Sequence, residues 1–268
     1  METSLSRNQE RSGGINLRIF NLLICFFILN SVCLAEDTEY FDWKGLKLSA
    51  SKNYTEALQY FDKAINQNGN YTDAWVHKGD TQRAMKDYNA SLLSYDQALK
   101  VDKNETAAWS GIVEAYSLLK KYDEAYAAAA KVTELDPKNK ANWLKEGNLL
   151  QLQGSYDKAV AKYDGALALD PQYKDALYRK GISLLALGNA TSAIELFDQV
   201  VKIDPKYKNA FNAKGLALET KGLDSEAQEA YNMSLEIDPK WSQPVINKEH
   251  SLLALGKMDE AMKIFVVI

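Results

Sequence analysis

Thiols are almost absent from this chain. Only Cys25 and Cys33 occur among its 268 residues, and both fall in one apolar stretch near the N-terminus. Without that stretch the chain has no cysteine, hence no disulfide framework and no cysteine-based metal site. Excess positive charge is missing as well. Lys and Arg number 32 against 36 Asp and Glu, a net charge of −4, which argues against a nucleic-acid binder and its basic face. No Gly-rich phosphate loop, zinc-ligand cluster or cysteine nucleophile can be read anywhere, so no cofactor is expected. Histidine is limited to His77 and His250. Long apolar runs are limited to one. Proline is also rare, with five residues, and its placement is the informative feature.

The single apolar run extends from Ile19 to Ala35, follows Arg7, Arg11 and Arg18, and gives way to Glu36-Asp37. A basic region, an apolar region and a small-x-small end at Cys33 and Ala35 fit a cleavable signal peptide. An uncleaved signal anchor is the rival. As a helix, residues 19–35 would span roughly 26 Å against a hydrocarbon core of about 30 Å. An ordinary buried helix is the third reading. Either of the first two places the remainder outside the cytoplasm, secreted or held on the outer face of the cytoplasmic membrane.

Four prolines, Pro137, Pro171, Pro205 and Pro239, recur every 34 residues, each after an apolar residue and an Asp. A fixed period of this length marks a stacked repeat array. Counting back gives units 38–71, 72–105, 106–139, 140–173, 174–207, 208–241 and an incomplete 242–268. The fourth position is large and apolar (Phe41, Trp75, Trp109, Trp143, Leu177, Phe211, Val245). The eighth is Gly45, Gly79, Gly147, Gly181 and Gly215, with Val113 and Glu249 as departures. The twentieth is Ala or Ser throughout, and the twenty-fourth is aromatic except at Ala129.

Positions 4, 8 and 11 share one face of a first helix, and 20, 24 and 27 share one face of a second. Gly at 8 and Ala at 20 are expected to let the two backbones approach, with the aromatic at 24 filling space beside them. Gly154, Gly188, Gly222 and Gly256 recur at position 15, where a left-handed residue ends the first helix. The Asp-Pro step ends the second, because the residue before proline is pushed out of the α region.

These residues closely resemble the tetratricopeptide repeat family over residues 38–268. The resemblance implies an all-α fold, a right-handed α-solenoid of stacked antiparallel helix pairs. It implies a concave groove lined by first helices that binds a protein or peptide, with no catalytic chemistry of its own. Some members clamp a terminal carboxylate with Lys and Asn in one repeat, Asn in the next, and Lys and Arg in the third. No triplet here reproduces that set. Arg179 and Asn148 each match one position, in different frames, so chaperone tails are not expected ligands.

Groove candidates follow from positions 5, 6, 9 and 12 of the first helices, with position 2: Asp42, Asp73, Asp80, Arg83, Glu114, Lys145, Asn148, Tyr178, Arg179 and Asn212. The N-terminal part of this set is acidic, which suits a partner segment with basic residues at one end. The plainer reading is a solvated face, since exposed charges contribute little. His77 and His250 read as exposed helix residues. Asp123-Glu124 and Asp259-Glu260 begin second helices, where they complement the helix dipole. Six N-x-Ser/Thr sequons are candidate glycosylation sites: Asn53, Asn70, Asn89, Asn104, Asn189 and Asn232. Asn and Thr are also good turn and cap residues, which explains several without a glycan.

The last unit carries Val266, Val267 and Ile268 where other repeats are mostly polar. This end is a candidate contact for a partner, a second copy or a lipid surface. A chain cut from a longer protein explains it equally. The function expected is a non-catalytic scaffold, exported or membrane-tethered through residues 19–35. The alternative is an accessory subunit of an envelope enzyme complex of the glycan-modifying or secretion type.

Overall fold

The computed structural model describes residues 37–265, with side chains described through residue 262. The apolar run 19–35 and Val266, Val267 and Ile268 lie outside the described residues. Among the described residues there is no strand. Fourteen helices follow one another: α1 (37–50), α2 (Tyr54–Gln67), α3 (Thr72–Ala84), α4 (Tyr88–Val101), α5 (Thr106–Leu118), α6 (Tyr122–Leu135), α7 (Lys140–Leu152), α8 (Tyr156–Leu169), α9 (Lys174–Ala186), α10 (Ala190–Ile203), α11 (Lys208–Glu219), α12 (Asp224–Ile237), α13 (Ser242–Ala254) and α14 (Met258–Phe265). They pack as consecutive antiparallel helices in two compact units, one ending at Leu119 and the other starting at Lys120. The first holds α1 to α5 and the second α6 to α14.

Each first helix ends in a left-handed residue. Gly154, Gly188, Gly222 and Gly256 have φ of 71° to 81°, and Lys52, Lys86 and Lys120 take the same place at 63°, 66° and 58°. Around Lys86, its N–H donates to the carbonyl of Arg83 at 2.9 Å and the N–H of Asp87 to that of Gln82 at 2.9 Å. This pair of bonds is the Schellman closure, which satisfies carbonyls the helix end leaves unpaired. Second helices end on Asn68, Asp102, Asp170, Asp204 and Asp238 in extended conformations, and α6 ends on Asp136 with φ −133° and ψ 76°. The Asp204 side chain accepts from the N–H of Lys206 at 3.1 Å, and Asp102 does the same for Asn104 at 2.8 Å. The turn therefore forms without proline at Asp102, since the Asx geometry closes it.

In five of the pairs the core is a ring laid on a glycine. A methyl added to Gly147 would sit 2.4 Å from the Tyr163 ring, and one added to Gly79 would sit 2.5 Å from Tyr95. The aromatic at position 24 thus lies over the glycine at position 8 rather than beside it, which sharpens the expected packing. Ala57, Ser91, Ala159, Ala193 and Ala227 at position 20 are fully buried. Where tryptophan occupies position 4, its indole N–H donates across the preceding turn: Trp75 to Gly69, Trp109 to Lys103 and Trp143 to Pro137, at 2.9–3.1 Å.

Candidate functional site

The first helices of the first unit assemble a charged network. Asp42 on α1 is 5% exposed, and both its carboxylate oxygens lie near His77 Nδ1 on α3, at 2.8 and 3.1 Å. Burial opposes the charge on His77, but the hydrogen bond and negative charge of Asp42 outweigh it and raise its pKa. The reading of His77 as an exposed helix residue is thereby corrected: it is half-buried and paired. His250 is exposed. Tyr71, at the start of α3, is pushed up to about 12 by burial and by the charges of Asp42, Asp73 and Glu39.

Further along α3, Arg83 gathers three partners. Its Nη2 donates to Asp80 at 3.1 Å, its Nη1 pairs with Glu114 on α5 at 2.6 Å, and its Nε donates to the Tyr95 hydroxyl at 3.3 Å. The Tyr95 hydroxyl in turn donates to Asp80 at 2.8 Å. Asp80, Arg83 and Glu114, read from sequence as separate groove positions, form one cluster. Asp73 is exposed, and its charge acts on Tyr71 and His77.

The second unit uses neutral partners. The Tyr163 hydroxyl lies 3.0 Å from Asn148 Oδ1 and 3.2 Å from Gln151 Oε1. Tyr178 packs edge-on against Tyr207, with ring centroids 5.3 Å apart, and also meets Phe197. Arg179 is exposed, and its positive charge acts on Tyr163, Tyr178 and Tyr207. Asn212 is buried and accepts from Asn247 Nδ2 at 2.9 Å. Lys145 is exposed and engaged in a contact of its own. All six sequon asparagines are exposed. Asn189 caps α10 by accepting from the Ser192 N–H at 3.2 Å, whereas Asn89 and Asn232 lie within α4 and α12.

Several contributors are absent from the sequence reading. Lys140, Lys174 and Lys208 at position 1 reach Asp170, Asp204 and Asp238 at 2.5–2.6 Å. They also lie over Tyr173, Tyr207 and Trp241, 4.5–4.9 Å from the ring centres. These bridges join the two ends of one repeat. A second series joins neighbouring repeats: Lys78 to Asp62, Lys180 to Asp164 and Lys214 to Asp198. The 34-residue recurrence of Lys and Asp was the signal available for both. At the position of Lys78 and Lys180, the fourth repeat has Glu146. It is 1% exposed and meets Lys162 Nζ at 2.7 Å, a pair within one repeat rather than between two. Among the described residues no group of three or more His, Cys, Asp or Glu could hold a metal.

Paired helices closed by glycine-seated rings define a helical-repeat protein. Family models described as Tetratricopeptide repeat match residues 72–105, 106–139 and 209–240, and residues 144–208. The chain belongs to the tetratricopeptide repeat family. Among similar solved structures, the MamA protein is 26% identical, with a TM-score of 0.60, covering 64% of this chain and 94% of that one. YrrB, described as a TPR protein with an unusual peptide-binding site, is 22% identical, with a TM-score of 0.61, covering 70% of this chain and 97% of that one. A tetratricopeptide repeat protein from Parabacteroides merdae is 14% identical, with a TM-score of 0.66, covering 86% of this chain and 91% of that one. No curated protein matches the chain.

Proposed function

We propose that this chain is a non-catalytic scaffold, exported and displayed at the outer face of a membrane, that binds a partner protein or extended peptide along its first helices. The observation that carries this reading is the Asp80–Arg83–Glu114 cluster with the Asp42–His77 pair. Charged groups on three successive first helices are held in fixed positions by one another. Fixed groups lose less conformational freedom when a ligand arrives, which favours binding. Asp73 adds negative charge, so the segment facing the first unit carries Lys or Arg. Peptide binding by YrrB supports this reading by analogy of fold. The export reading is supported by the basic-then-apolar order of residues 7–35.

Site-directed photocrosslinking tests it. A crosslinker at Asp73 or Arg179 is expected to capture a defined partner, and one at exposed Glu229 on α12 is not. Capture only from Glu229 would overturn the assignment of the face. Added salt is expected to weaken capture at Asp73 more than at Arg179. A glycan-modifying or secretion enzyme captured at fixed stoichiometry would make the chain an accessory subunit of that complex, a narrower form of the same role.

A further inference from the structure

Every first helix after α1 turns one face toward the second helix that precedes it. That face is built on positions 3 and 10 of the repeat. Ala210, at position 3, packs with Leu196 and Val200 of α10, and Ala217, at position 10, with Ala193 and Phe197. Ala74, Ala108 and Ala176 at position 3 are fully buried, as are Ala115 and Ser183 at position 10. Small side chains at these positions let the helices lie close, and α7, with Asn142 and a buried Leu149, is the departure.

The same face of α1 is of another kind. Position 3 is Tyr40, 53% exposed, and position 10 is an exposed Lys47. Trp43 and Leu46 beside them are 54% and 40% exposed. Tyr40 and Trp43 have ring centroids 6.1 Å apart, and Lys47 Nζ lies 5.4 Å from the Trp43 ring centre. Side chains of this size would hold a preceding helix away. The face is not shaped for another repeat, nor for a second copy stacked head to tail through the same packing. In the sequence it is preceded by the apolar run 19–35, which ends two residues before α1 begins.

We propose that α1 lies along the outer surface of a lipid bilayer, with Tyr40, Trp43 and Leu46 at headgroup level. This inference rests on the tethered form of the export reading, with residues 19–35 inserted. Trp and Tyr favour the membrane–water boundary because their rings are apolar and their N–H and O–H groups are not. Lys47 keeps its charge in water while its stem covers apolar surface. An upright α1 would carry Leu46 about 16 Å beyond residue 35, outside a headgroup layer of roughly 5–7 Å. Lying flat puts the three side chains at one depth. Exposed Glu39 on the same helix disfavours an anionic surface, so the occupant is a net-neutral, zwitterionic one.

The test uses the full chain reconstituted in phosphatidylcholine vesicles containing lipid brominated near the headgroup end of its acyl chains. Bromine quenches only tryptophan within contact range. Part of the emission is expected to be quenched, and Trp43→Phe to lose that part while Trp109→Phe retains it. Far-ultraviolet circular dichroism is expected to be unchanged in Trp43→Phe, since the side chain is half exposed. Flotation with the vesicles without quenching of Trp43 overturns this inference and leaves the tether intact. Trp43 shielded from both brominated lipid and aqueous acrylamide overturns it in favour of a protein neighbour. Failure to float overturns the tether reading itself.

Discussion

Three lysines sit at the helix-ending position that the other four repeats give to glycine. Lys52, Lys86 and Lys120 hold φ of 63°, 66° and 58°, a region that crowds Cβ against the following carbonyl. Replacing each with glycine is expected to stabilise the protein by about 1 kcal/mol, read from urea unfolding. Gly154→Ala is expected to cost about as much, even though nothing lies within 4 Å of the added methyl. The cost lies in the backbone, not in a clash. An unchanged midpoint in both experiments would remove the strain argument. His77 gives a pH signature. Its folded pKa is raised through Asp42, so the stability it supplies is complete below its ordinary value near 6.5 and is lost as pH rises through the folded value. Unfolding measured from pH 5 to 9 is expected to show that loss, and His77→Gln to flatten it.

Helix pairs depend on the ring seated on its glycine. Gly147→Ala drives a methyl to 2.4 Å from Tyr163 and is expected to cost about 1–3 kcal/mol, measured as a fall in denaturation midpoint. Repeat three carries Val113 and Ala129 at the corresponding positions, both buried. In that repeat the larger residue stands at position 8 and the smaller at position 24. Gly147→Val combined with Tyr163→Ala is therefore expected to be less destabilised than Gly147→Val alone. Equal losses would show that the two positions do not share space. The turns between pairs have their own dependence on acid. Hydrogen bonds from Lys140, Lys174 and Lys208 hold Asp170, Asp204 and Asp238 below the ordinary carboxylate range. What these pairs contribute is present above that ordinary range and is lost as pH falls through the lowered values. All three aspartates face water, so the effect is small.

At the scale of the molecule, stability in a repeat protein is close to a sum over units and their interfaces. Among the described residues, α13, α14 and the turn between them expose Ile246, Leu253, Leu255, Met258 and Met262. Few buried contacts mean low local stability, and amide exchange reports it. Exchange in α13 and α14 is expected to be faster than in α7 and α8, where Leu149, Leu150, Tyr163 and Ala166 are buried. Uniform protection across the four helices would refute this. The pairing of helices was legible in the chain because it is written as a covalent period. Gly at 8, Ala at 20 and an aromatic at 24 recur whatever the rest of each repeat does. The candidate face was legible only as a set of positions. Asp42 and His77 are 35 residues apart, as are Asn212 and Asn247, and neither residue type announces the other. Whether a polar side chain faces solvent or a partner depends on how close two helices come, and that distance is set by the packing of every ring and glycine between them. The sequence by itself determined the helix–turn–helix unit and its repetition, because local conformational preference and apolar spacing act within one repeat. Tertiary structure alone decided which charges are held by internal partners and that α1 presents Tyr40 and Trp43 to the outside. Both depend on how the described helices pack against one another.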